Sequence, residues 1–182
     1  ITLGTGIGGA IFVGGKLYRG SFGGAGELGH ITVNPFGRIC GCGNTGCVEA
    51  HSSGRAVVAK FLELQTAGKK SRLTDAGEEV TFHAIADYAR DGDSLCREIL
   101  SEAASYLGIA TASLINIFNP EGIIFSGRMV GASDILSHNV RTEIDRRALI
   151  SSSERTKIML AELGDNAGIT GAAKWTLEKL NT

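Results

Sequence analysis

The chain has 182 residues, the size of one ordinary domain, and 43% hydrophobic content is enough for a buried core. Formal net charge is -1 and the basic residues are scattered, so no broad phosphate-binding surface for nucleic acid is expected through this segment. No apolar run approaches the ~20 residues needed to cross a bilayer, and no basic segment followed by an apolar core opens the sequence, so a soluble, cytoplasmic protein is expected.

Over half of the 26 glycines fall between Gly4 and Gly46, against only two prolines in the chain. Ile1-Thr2-Leu3 reads as a strand, followed by a Gly4-Thr5-Gly6-Ile7-Gly8-Gly9 turn. Ala10 to Val13 and Lys16 to Tyr18 follow as a hairpin about Gly14-Gly15. The strand-like start with no Met or cap before it suggests a segment of a larger protein. The Gly-rich turn joins two strands, so it is neither a Walker A loop, which needs a Lys and a following helix, nor a dinucleotide fingerprint. It is either a plain tight turn or a place where bare backbone N–H groups and the Thr5 hydroxyl approach a phosphate.

From Gly20 to Gly46 the chain is loop-rich, with one short strand expected at His30 to Val33. Its order must come from something other than core burial. Cys40-Gly-Cys42-Gly-Asn-Thr-Gly-Cys47 places three thiols within eight residues, with His30 ten residues upstream. Three sulfurs and one imidazole complete a tetrahedral zinc site, and four protein ligands mark it as structural. A disulfide plus a spare thiol is the competing arrangement, disfavoured in a reducing compartment. Glu27 and Glu49 lie three and two residues from proposed ligands. Each is either a solvated surface charge or, held close by the metal, an acceptor for sugar hydroxyls alongside His30.

The remainder reads as helices and strands in alternation. Helices are expected from Val48 to about Leu64 and from Phe82 to Arg90 with Thr81 as N-cap, with residues 68–79 a polar connector. Leu95, Ile99, Ala103, Tyr106, Ala110, Leu114 and Ile117 recur at helical spacing up to Asn119-Pro120. Gly122 to Ser126 is a buried strand, Ser133 to Leu149 a helix opened by Ser133, Lys157 to Leu160 a strand and Gly168 to Leu180 a closing helix. Cys96 falls on the long helix and reads as core packing. Strands alternating with long helices indicate an α/β layered domain.

Cys40-x-Cys42-Gly43-x-x-Gly46-Cys47-x-Glu49 with Glu27-x-Gly29-His30 resembles the signature of the ROK family, which contains bacterial glucokinases, other hexose and N-acetylhexosamine kinases, and transcriptional repressors. The likeness continues through the Gly4 to Gly9 turn, through Ile123-Ile124-Phe125-Ser126-Gly127 and through Leu163-Gly164-Asp165-Asn166-Ala167-Gly168. It implies an actin-like ATPase (ribonuclease H-like) α/β fold, with residues 1–182 as the C-terminal lobe bearing a zinc-binding loop insertion. It implies zinc held by His30, Cys40, Cys42 and Cys47, sugar contacts from Glu27, His30 and Glu49, and nucleotide contacts from Gly4, Thr5, Gly6 and Gly127. A hexose, ATP with Mg2+ and a second copy of the chain are the implied partners. Ser126 departs from the pattern, standing where family kinases often carry a second Gly. The N-terminal Gly-rich phosphate loop and the Asp base of such kinases do not precede Ile1. The isolated chain is therefore expected not to phosphorylate sugars, and the same lobe in a repressor would sense a sugar instead.

Overall fold

Thr2–Leu3 (β1) and Ile7–Gly8 (β2) pair antiparallel across the Gly-rich turn, in register Leu3 to Ile7. In the computed structural model, which describes residues 1–180, β1 also lies parallel to a later strand. The Leu3 N–H donates to Ser126 O at 2.7 Å and the Ser126 N–H to Ile1 O at 2.9 Å. Ile11–Val13 (β3) and Lys16–Tyr18 (β4) form the expected hairpin about Gly14 and Gly15. The later strand, Gly122–Phe125 (β5), pairs parallel with Lys157–Leu160 (β6), so the principal layer runs β2, β1, β5, β6. Its inward residues Leu3, Ile123 and Phe125 are buried under the helices.

The helical layer is built on the long apolar stripe. Ser94–Phe118 (α5) starts one residue earlier than its hydrophobic repeat, because the Asp93 carboxylate caps it, accepting from the Cys96 N–H at 2.9 Å. It ends at Asn119 in the left-handed conformation before Pro120. Phe82–Arg90 (α4) opens on Thr81 as expected, with Oγ1 accepting from the Ala84 N–H at 3.1 Å. Phe61, Leu73, Ile85, Leu100, Ile115 and Ile144 are fully enclosed where these helices meet, each worth ~1.5–3 kcal/mol of burial.

Four elements differ from the sequence expectation. The helix expected from Val48 to Leu64 is two, Val48–Ser52 (α1) and Gly54–Thr66 (α2), broken at Ser53. The extended Ser53 backbone lets its hydroxyl accept from the Ala56 N–H, while the buried Ser52 hydroxyl donates to Ala103 O. The connector 68–79 contains a helical turn, Arg72–Ala76 (α3), anchored by buried Leu73 and capped by Ser71. The short strand at His30 to Val33 is a 3-10 turn, Leu28–His30, followed by a single bridge between Thr32 and Cys47. Ser133 is the first residue of Ser133–Arg147 (α6) and caps nothing, because the chain enters through a 3-10 turn at Arg128–Ala132. Ile150–Ser153 (α7) is a separate turn, and Ala167–Leu180 (α8) closes the described chain as expected. Among the described residues, no helix is long and apolar enough to cross a membrane.

Candidate functional site

The loop from Ile31 to Cys47 folds on its own backbone. The Cys40 N–H donates to Asn44 O, the Gly43 N–H to Cys40 O and the Gly46 N–H to Arg38 O, at 2.7 to 2.9 Å. This knuckle turns Cys40, Cys42 and Cys47 towards His30, and the four candidate ligand atoms lie within 4.8 Å of one another. Cys42 Sγ to Cys47 Sγ is 3.7 Å, and Cys40 Sγ to His30 Nδ1 is 3.7 Å. A tetrahedral zinc with Zn–S ~2.3 Å and Zn–N ~2.0–2.1 Å has edges of about 3.8 and 3.6 Å. The set therefore fits zinc, and all four cysteines of the chain are free thiols. Burial pushes the metal-free Cys47 thiol up to about 12. Cys96 is buried apart in the core.

Four residues to which the sequence assigned no part in the site clamp this loop to the helices. The Arg38 N–H donates to His51 Nε2 at 3.4 Å, the His51 ring stacks on Tyr106 at 4.4 Å between centroids, and Asn34 Nδ2 donates to the Tyr106 hydroxyl at 3.1 Å. Burial, reinforced by the Arg38 charge, lowers the His51 pKa and favours the neutral ring that can accept this bond. The only sequence signal was spacing: His51 lies four residues past Cys47, one helical turn along α1.

His30 presents Nδ1 to the cluster, leaving Nε2 3.8 Å from Glu27 Oε2. Glu27 is exposed and His30 partly so, leaving both open to solvent. Glu49 is more enclosed, its side chain 17% exposed. Its Oε2 accepts from the Ile7 N–H at 2.9 Å, and its Oε1 is 3.9 Å from both Cys40 Sγ and Arg55 Nη2. The three expected sugar-contacting residues thus border the metal cluster, with Glu49 also reaching the Gly-rich turn.

That turn sits on the start of α2, where the Gly54 N–H donates to Gly4 O at 2.8 Å. An open cleft of about 420 Å³ is lined by Gly4 and Thr5, by Arg55 and Arg128, and by Thr81 and His83 where α4 begins. Val58, Val80, Phe82 and Met129 supply an apolar wall. Two guanidiniums and two helix N-termini suit phosphate, and the apolar wall suits a flat ring. Gly127 has φ +90°, and an added Cβ would collide with the Leu3 carbonyl oxygen, so only glycine lets β1 pass beside β5 here. Gly6 faces Glu49 instead of the cleft: its Cβ would lie 2.5 Å from Glu49 Oε2. Arg55 and Arg128 were missed because isolated arginines carry no sequence signal, although Arg128 directly follows Gly127.

Comparison with known proteins places this geometry. The chain is 34% identical over 173 residues to the xylose repressor of Caldicellulosiruptor bescii, covering 94% of this chain and 43% of that protein. It is 36% identical over 181 residues to a glucokinase of Streptomyces coelicolor, covering 95% and 57%. Its backbone matches a ROK family glucokinase from Streptomyces griseus, solved with glucose and AMPPNP, at TM-score 0.81 and 35% identity over 96% of this chain and 58% of that one. The chain spans about half the length of the curated relatives it matches. The mixed α/β architecture is that of the actin-like ROK sugar kinases. The ROK family model matches residues 1–179, and this chain belongs to the ROK family.

Proposed function

We propose that this chain is the C-terminal lobe of a hexose kinase that uses ATP with Mg2+, holding sugar at Glu27, His30 and Glu49 and nucleotide over Gly4 and Thr5, with Gly6 and Gly127 shaping the turn and the strand crossing beside it. The observation that carries the reading is the juxtaposition across one Gly-rich turn. On one side lie two carboxylates and an imidazole beside a tetrahedral Cys3His set, and on the other a cleft suited to phosphates. Carboxylate oxygens accept from sugar hydroxyls while His30 Nε2 donates or accepts, fixing one orientation. Zinc, held by His30, Cys40, Cys42 and Cys47, would order the loop that carries them. Turn N–H groups, Arg55 and Arg128 would neutralise phosphate charge, with Mg2+ bound to the nucleotide. The proton acceptor for the attacking hydroxyl is assigned to a lobe outside this chain, so the isolated 182 residues bind but do not turn over. The glucose and AMPPNP in the similar Streptomyces griseus glucokinase support the same two ligand classes.

A second reading, a sugar-sensing lobe of a transcriptional repressor, is favoured by the similar xylose and N-acetylglucosamine repressors. The Gly4 to Gly9 turn beside a phosphate-suited cleft supports the kinase. Calorimetry and hexose-dependent ADP release by the full-length protein, across a panel of hexoses, separate the two. Turnover with at least one hexose supports the kinase. Hexose binding without turnover, together with sugar-sensitive binding to operator-containing DNA, supports the repressor.

A further inference from the structure

Glu49 borders both sides of the site. Its Oε2 accepts from the Ile7 N–H at 2.9 Å across 42 residues of sequence, fixing the Gly-rich turn. Its Oε1 lies 3.9 Å from Cys40 Sγ in the metal loop and 3.9 Å from Arg55 Nη2, and Arg55 also lines the phosphate-suited cleft. A carboxylate has about four acceptor positions, so after Ile7 it keeps lone pairs for a sugar hydroxyl. The space it occupies exists because Gly6 has no side chain: a Cβ there would stand 2.5 Å from Oε2. The obstructed atom is the free end of a flexible side chain, so the carboxylate moves rather than the turn.

We infer that the Gly6–Glu49 contact couples the sugar site to the nucleotide turn, with Glu49 as the positioning residue of that turn and Gly6 as the residue that admits it. This rests on the proposed hexose and nucleotide sites. A hydroxyl that fixes the Glu49 carboxylate also fixes the acceptor of the Ile7 N–H, so nucleotide meets a turn already set, and by linkage nucleotide strengthens sugar binding equally. Gly6 lines neither the metal cluster nor the Glu27–His30 pair, so an effect of Gly6 on sugar affinity has to travel through Glu49.

The test is calorimetry of the full-length protein with its best hexose and, separately, AMPPNP, with metal content measured for every variant. Gly6→Ala is expected to weaken hexose binding about tenfold with metal content unchanged, the loss of roughly one charge-assisted hydrogen bond. Glu49→Asp withdraws the carboxylate from the Gly6 space, so adding Gly6→Ala to it should change hexose affinity less than twofold. Independently, Glu49→Gln keeps an acceptor for Ile7 and should retain AMPPNP affinity within twofold, whereas Glu49→Ala should lose about tenfold. Unchanged hexose affinity in Gly6→Ala, or equal AMPPNP affinity in the Gln and Ala variants, overturns the coupling while leaving the two ligand sites intact. Wild-type protein that binds neither ligand overturns the functional reading itself, and the coupling with it.

Discussion

Gly127→Ala tests how the sheet and the cleft depend on one another. The backbone there has φ +90° and ψ 173°, a region essentially restricted to glycine that costs a residue with a Cβ ~1–3 kcal/mol. The new methyl also meets the Leu3 carbonyl oxygen, which is rigid backbone, so β1 must move away from β5. That movement strains the Leu3 N–H to Ser126 O bond of 2.7 Å and the Ser126 N–H to Ile1 O bond of 2.9 Å, worth ~1 kcal/mol each. The sum is a loss of about 3 to 5 kcal/mol, read by urea denaturation of the full-length protein. Because β1 leads into Gly4 and Thr5, AMPPNP affinity should fall in parallel. A loss under ~1 kcal/mol with unchanged nucleotide affinity would refute the argument that only glycine fits at this crossing.

Other perturbations reach different parts of the account. Asp93 accepts from the Ser71 hydroxyl and from the Arg72 and Cys96 N–H groups, and despite burial, which alone would raise it, these bonds hold its carboxyl below the usual range. Its contribution is therefore present above the unfolded carboxylate pKa of ~3.9 and lost as pH falls through the lower folded value. Asp93→Asn should cost about 2 kcal/mol at pH 7 and flatten the acid limb of stability measured from pH 6 to 2; an unchanged acid limb counts against the assignment. His51→Ala removes the acceptor for the Arg38 N–H and the ring stacked on Tyr106, so zinc should transfer to a competing chelator about tenfold faster; an unchanged rate would mean that the loop needs no such clamp. Leu73→Ala should cost ~2–5 kcal/mol in denaturant, since this fully buried side chain anchors α3; a loss under 1 kcal/mol would show that the short helix is dispensable.

The parts legible in the sequence were those set by near neighbours. The α5 stripe, the Thr81 cap, the hairpin at Gly14-Gly15 and the Cys40 to Cys47 spacing each lie within one local pattern, and each stands where it was expected. What escaped depends on distant partners. The break at Ser53 is decided by Ser52 reaching Ala103 and by the turn that Gly54 supports, and α3 is held by Leu73 and Asp93. The clamp of Asn34, His51 and Tyr106 joins three elements whose approach no spacing encodes. Glu49 was recognisable from its place beside Cys47, but its bond to the Ile7 N–H was not. The same holds for the cleft, where Arg55 and Arg128 come from segments far apart in the chain.

The most direct measurement is metal analysis of the natively purified full-length protein, combined with thiol alkylation before and after chelation. One zinc per chain is predicted, with Cys40, Cys42 and Cys47 protected until the metal is removed and hexose affinity falling when it is. Native protein that lacks zinc, or that carries a disulfide between any two of those cysteines, and still binds hexose undiminished would contradict the account.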